Sequence, residues 1–240
     1  GAVTWSPSGD KLAVVGTDDH RISDPRQAWL FVIEKNKAPK RLTDGEFTPL
    51  LPTSLLRWTD DGNILFLGDR HGVSYLCEVP SEGGPLRNVS DGNAEYTHLT
   101  LDARSEKAVI RAISPDSSEH LHLLDIKTGS KLTLDHYNDN YFSRHLPAKM
   151  EKFTTIRGGL EIESRLLIPH DFDSTLLYPL VLDIHGGPHG RFSDASKLEQ
   201  QVIATKGYLV LAVNPRGSSS YGPAFAKAVL GDWGGEDYLD

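Results

Sequence analysis

The chain has 240 residues, of which 38% are hydrophobic and 24% charged, with a formal net charge of −8. That balance reads as a soluble globular chain with room for one large or two modest domains. The acidic excess excludes the basic face that phosphate binding needs, and no apolar run approaches the roughly 20 residues of a membrane helix.

Neither nucleic acid nor a membrane is therefore expected as a partner. The longest apolar runs, Leu180–Ile184 and Leu209–Val213, suit buried strands. A single cysteine, Cys77, leaves no internal disulfide framework and fits a reducing compartment, so a cytoplasmic location is expected. Its plainest role is a small buried side chain in a strand. The chain enters a strand-and-turn pattern directly at Gly1-Ala2-Val3-Thr4-Trp5, with no initiator Met and no signal segment. The expectation is that the true N-terminus, and any targeting signal, lies upstream.

Residues 1–146 read as short strands between turns. Lys11–Val15, Trp29–Ile33, Ile64–Leu67, Ser74–Val79, Ala108–Ile113 and His120–Ile126 are rich in aliphatic and aromatic residues and bounded by Gly, Asp, Asn and Pro. This half also repeats itself. Trp5-Ser6-Pro7-Ser8-Gly9-Asp10 is echoed by Trp58-Thr59-Asp60-Asp61-Gly62-Asn63, and Arg41-Leu42-Thr43-Asp44-Gly45 by Asn88-Val89-Ser90-Asp91-Gly92. A weaker third copy runs from Leu99-Thr100-Leu101-Asp102 to Leu134-Asp135. Periods of this size, with about four short strands each, are the signature of β-propeller blades. About three blades make an open arc where a closed propeller has about 4–8, so further blades are expected upstream. A β-sandwich would not explain the repeated markers. Trp5 and Trp58 are expected to pack between blades.

After Leu146-Pro147 the pattern changes. Phe153–Arg157, a Gly158-Gly159 turn and Leu160–Ile168 predict a hairpin stopped by Pro169. Tyr178–Ile184 predicts a strand covered on both faces. Ala195–Lys206 predicts a helix with Leu198, Val202 and Ile203 on one side. Tyr208–Val213 and Tyr221–Leu230 predict a second covered strand and a further helix. Such alternation implies parallel strands. The fold class is thus a β-propeller fragment over 1–146 followed by the N-terminal part of an α/β-hydrolase domain over 147–240.

His185-Gly186-Gly187-Pro188 follows the strand that ends at Ile184. Two glycines at the carboxyl end of a parallel strand leave backbone N–H groups open to a ligand. A developing oxyanion needs such pre-aimed donors, and a glycine loop in this place supplies one in α/β-hydrolases. Asn214-Pro215-Arg216-Gly217-Ser218-Ser219-Ser220-Tyr221-Gly222 ends the next strand and should lie beside it. Arg216 either anchors this loop through carbonyls, the favoured reading, or reaches a substrate.

These blocks, with Phe225 and Gly231-Asp232-Trp233-Gly234-Gly235-Glu236-Asp237, resemble consecutive blocks of the prolyl oligopeptidase family, the acylaminoacyl-peptidase branch most of all. The resemblance covers about residues 150–240 and implies a propeller joined to an α/β-hydrolase. It implies a serine peptidase acting on short peptides, with the N–H of Gly187 as an oxyanion donor, His185 shaping the loop rather than serving as base, and no cofactor or metal. The triad order in this fold is Ser, Asp or Glu, then His. No Gly-x-Ser-x-Gly occurs in the 240 residues. The resemblance therefore implies that all three triad members lie beyond Asp240, and that the chain alone is inactive.

Two other readings compete. An esterase would use the same glycine loop but would not carry blades, and a propeller binding module would keep a vestigial hydrolase half. Homo-oligomerisation is compatible with all three. Among further candidates, His120 and His122 share a strand face as a metal pair could, but no third ligand is tied to them by spacing. Asp135, Asn138 and Asp139 lack the glycine and terminal Glu of a calcium loop, and Asn88-Val89-Ser90, a glycosylation sequon, falls inside the repeated closing motif.

Overall fold

A computed structural model describes residues 2–17, 28–45, 47–49, 56–114, 119–195 and 197–240. Three antiparallel sheets follow one another along the chain. The first joins β1 (Val3–Trp5), β2 (Lys11–Gly16), β3 (Trp29–Glu34) and β4 (Lys40–Arg41) in that order. The second orders β5 (Thr48–Pro49), β7 (Asn63–Arg70), β8 (Val73–Pro80) and β9 (Arg87–Asn88), with β6 (Arg57–Trp58) also paired to β7. The third joins β10 (Glu95–Leu101), β11 (Lys107–Ile113), β12 (Glu119–Asp125) and β13 (Lys131–Thr133).

One local template builds all three. In the first sheet Ser6 opens the turn: its Oγ accepts from the N–H of Lys11, and Gly9 donates back to the Ser6 carbonyl. Thr59 does the same with Asn63 and Gly62, and Asp102 with Lys107 and Ser105. The turn needs a left-handed residue, met by Gly9 and Gly62 at φ +74° and +85°, but by Ser105 at +55° in the third copy. That substitution, costly for a residue with a Cβ, is why the third repeat is faint in sequence. The closing marker is equally regular. Thr43 Oγ1, Ser90 Oγ and Asp135 Oδ2 accept from Leu30, Leu76 and Leu121 at 3.1, 2.9 and 2.6 Å. Ser90, the sequon hydroxyl, is buried in this role.

Packing follows from the period of two along a strand. On β7, Ile64 and Phe66 face the first sheet with Val15, Leu30 and Val32, while Leu65 and Leu67 face the third with Ile110 and Leu124. A strand buried on both faces has no polar side to spare, hence its unbroken run Ile64–Leu67. Trp58 is buried and its Nε1–H donates to the Thr4 carbonyl at 3.3 Å, joining two sheets. Trp5 does not share that role: it is 62% exposed, because β1 is the outer strand of its sheet and the first sheet packs through Ala13, Val15 and Val32 instead.

A short helix, α1 (Asp139–Phe142), leads into the last sheet. This orders β14 (Lys149–Arg157), β15 (Leu160–Ile168), β17 (Leu209–Asn214) and β16 (Leu180–Asp183), with α2 (Leu198–Ala204) between β16 and β17 in the chain. The β14–β15 hairpin is regular, β15–β17 is antiparallel, and β16–β17 is the parallel pair. Two expectations are corrected here. β16 is the sheet's outer strand, so Leu180 and Leu182 are half exposed rather than covered. The α2 face that packs carries Gln200, Ile203 and Ala204, so Ile203 is placed as expected while Leu198 and Val202 are exposed, and Gln200 reaches back to Asp183 at 2.8 Å. The final predicted helix shortens to α3 (Pro223–Lys227).

Candidate active site

Because β16 and β17 run parallel, the loops that leave their carboxyl ends lie side by side. The first carries His185 to Phe192 and the second Pro215 to Gly222. Gly186 and Gly187 are exposed, and Gly187 holds φ +120°, a conformation closed to other residues without strain. A Cβ on Gly187 would lie 3.2 Å from the Gly190 nitrogen, and one on Gly190 would lie 2.5 Å from the Gly186 carbonyl. The loop is thus tightly folded on itself, with its glycine backbone facing outward.

Polar contacts clamp the two loops together. Asn214, fully buried, accepts from the Phe192 N–H at 2.7 Å and donates to the Phe192 carbonyl at 3.0 Å. Its amide also donates to Tyr221 Oη at 2.7 Å, and that hydroxyl donates to Glu163 at 2.6 Å. Ser219 donates its N–H to the Gly190 carbonyl at 3.2 Å, and His189 Nδ1 donates to the Gly217 carbonyl.

His185 Nε2 lies 3.0 Å from Ser218 Oγ, a spacing that imitates a catalytic pair. The chemistry is otherwise. Ser218 is fully buried and its one hydroxyl proton goes to the Pro215 carbonyl at 2.6 Å. At His185 it can only accept, so Nε2 carries the proton of their bond, and burial favours the neutral ring. Burial holds the His185 pKa below its ordinary value, with the Gly186 backbone working the other way. A neutral ring that donates to an inaccessible serine has no base to offer that serine.

Arg216 pairs with carboxylates. Its N–H and Nε each donate to Asp240 Oδ2 at 2.8 Å, and Nη2 donates to Oδ1 at 2.7 Å. Arg157 joins the same carboxylate at 3.4 Å. His120 stands 3.5 Å from both Asp135 and Asp139, while His122 faces Thr133. Among the described residues no group of three His, Cys, Asp or Glu is placed to hold a metal, and no helix is long and apolar enough to cross a membrane.

Sequence reasoning missed a buried charge cluster between the two halves, Arg191 with Asp69 and Glu95. Arg191 Nε donates to Asp69 Oδ2, and Nη2 donates to Glu95 at 2.9 and 3.2 Å, with the Asp69 side chain 2% exposed. Burial raises the Asp69 pKa to about 6, against the pull of the Arg191 charge. The available signal was Asp69 itself, a carboxylate continuing the buried run of β7, which demands a partner.

These features define a class: repeated antiparallel sheets that carry an α/β sheet with an open glycine loop at its carboxyl edge. Residues 194–240 match the model of the prolyl oligopeptidase family. Over 231 residues it is 30% identical to the uncharacterized peptidase YuxL of Bacillus subtilis, covering 89% of this chain and 34% of that protein. It is 27% identical to dipeptidyl-peptidase 5 of Aspergillus fumigatus over 98% of this chain and 33% of the relative. The chain thus spans about a third of the length of these curated relatives. Acylaminoacyl peptidase of Pyrococcus horikoshii shares the fold with a TM-score of 0.66 at 22% identity, over 100% of this chain and 43% of that one.

Proposed function

We propose that the chain is part of a serine peptidase that cleaves short peptides by acyl transfer, with the Gly187 N–H as one oxyanion donor. The single observation behind it is Gly187 itself, exposed at the carboxyl end of β16 in a conformation that only glycine adopts freely. Backbone donors held in place before reaction stabilise a developing oxyanion without reorganisation. The Asn214 clamp on Phe192 supports that rigidity. The three sheets are read as propeller blades on a common turn template, which would admit peptides and turn away folded proteins. The nucleophile, acid and base are assigned to residues of the full-length protein outside these 240, since no Gly-x-Ser-x-Gly occurs among them. Peptidase names among the relatives support peptides over esters as substrates.

The test is steady-state hydrolysis of chromogenic peptides by the full-length protein, with fluorophosphonate labelling of its nucleophile. Gly187→Pro deletes the donor and, with φ fixed near −65°, also moves the loop, so turnover should fall by at least about 10²–10³. Gly187→Ala strains the same backbone but keeps the N–H, so it should retain clearly more activity. Equal losses in the two variants sink the donor role. Labelling with turnover of esters but not peptides favours an esterase, and no labelling at all leaves a binding module.

A further inference from the structure

We propose that Arg191 is a positioning residue, which sets the geometry of the Gly187 loop by tying it to the repeated sheets, so that the loop holds its working shape only when the two halves are docked. This rests on the oxyanion reading of Gly187. Arg191 lies four residues past Gly187 on the same loop, and its side chain is only 10% exposed. Its guanidinium spans two sheets of the other half, taking Asp69 at the end of β7 and Glu95 at the start of β10.

The surroundings show the same seam. The β7–β8 turn enters the second loop: His71 donates its N–H to the Ser220 carbonyl at 2.7 Å, and Gly72 donates to Ser220 Oγ at 2.7 Å. The His71 and Tyr221 rings meet edge to face at 5.5 Å. A Cβ on Gly72 would stand 2.4 Å from Arg165 Nη2 and 3.1 Å from the Phe192 carbonyl. Of the contacts that hold Gly190 to Phe192, Ser219 and Asn214 come from the loop's own sheet. Arg191 alone carries the segment across to the other half by charge. A planar guanidinium that forks between two carboxylates fixes direction as well as distance, which an ammonium on a flexible stem does not.

The experiment uses the full-length protein, with kcat and KM measured separately on a peptide substrate and folding checked by thermal unfolding. Arg191→Met should lower kcat at least about tenfold with KM changed less than about threefold, since misplacing a donor spares ground-state binding. Arg191→Lys should recover part of that loss, and the rate of fluorophosphonate labelling should fall in parallel with kcat. A folded Arg191→Met protein with wild-type kcat overturns the proposal, as does a loss confined to KM. Should Arg191→Met fail to fold, Asp69→Leu removes one arm of the fork, acceptor and charge together, while Glu95 still pairs the guanidinium. It should lower kcat at constant KM, and an unchanged kcat overturns the proposal equally. The oxyanion reading is judged apart from this, on the difference between Gly187→Pro and Gly187→Ala, and the proposal falls with it if that difference is absent.

Discussion

Ser218 and His185 show how far two side chains at hydrogen-bond distance can be from a catalytic pair. The serine's proton is committed to a carbonyl, and the imidazole is a neutral donor held by burial. Ser218→Ala removes the acceptor and leaves a buried ring N–H without a partner, which costs about 1–3 kcal/mol. The measurement is the shift in denaturant midpoint, expected without loss of covalent labelling at the nucleophile. The pH dependence has a definite sign. His185 titrates in the folded protein below the ordinary value of 6.5. Its contribution to stability is therefore present above that value and lost as pH falls through the lowered folded pKa. His185→Gln keeps a donor for Ser218 but cannot titrate, so its stability should fall less steeply below pH 6.5 than that of the wild type. Identical acid limbs would show that His185 is not the group responsible.

At the scale of elements, the β7–β8 turn can be tested against a turn of similar backbone geometry elsewhere. Gly9 and Gly72 hold φ +74° and +70°, so an alanine at either carries the same left-handed cost of about 1–2 kcal/mol. Around Gly9 nothing lies within 4 Å, whereas Gly72 is pressed against Arg165 and Phe192. Gly72→Ala should therefore lose about 1–3 kcal/mol more than Gly9→Ala, the range for forcing atoms into a packed site. Equal losses in chemical unfolding would mean that the turn is not seated on the second loop. Ser6, Thr59 and Asp102 differ as residue types but present one acceptor oxygen to the same backbone donor, and Thr43, Ser90 and Asp135 do likewise.

For the whole molecule, the decisive contact is the guanidinium between Asp69 and Glu95. Removing Arg191 leaves two carboxylates facing each other in the interior, a change that typically costs about 3–5 kcal/mol. Calorimetry of Arg191→Met should then separate the unfolding of the repeated sheets from that of the α/β sheet, where the wild type should lose both together. Added salt should do much less, because a pair this deep is poorly screened. An unsplit transition in the variant would assign the docking to the Ser220 contacts instead.

The local elements and the glycine loop are legible in the order of residues alone. Strand runs such as Trp29–Ile33 and Ser74–Val79, the hairpin around Gly158-Gly159, and the placement of Gly186-Gly187 after a strand are near-neighbour properties, written in period and turn chemistry. Two of the three repeats were legible because glycine marks a left-handed turn; the third was dimmed by Ser105. The rest depended on which surfaces meet. That Trp58 packs while Trp5 is exposed, that Leu180 and Leu182 lie open on an outer strand, and that Gln200 turns inward are outcomes of sheet order. Asp69, Glu95 and Arg191 stand far apart in the chain and share no spacing, so only the docking of two halves brings their charges to one point. Hydrogen bonds and ion pairs act over a few ångströms, and tertiary structure alone decides which residues come that close.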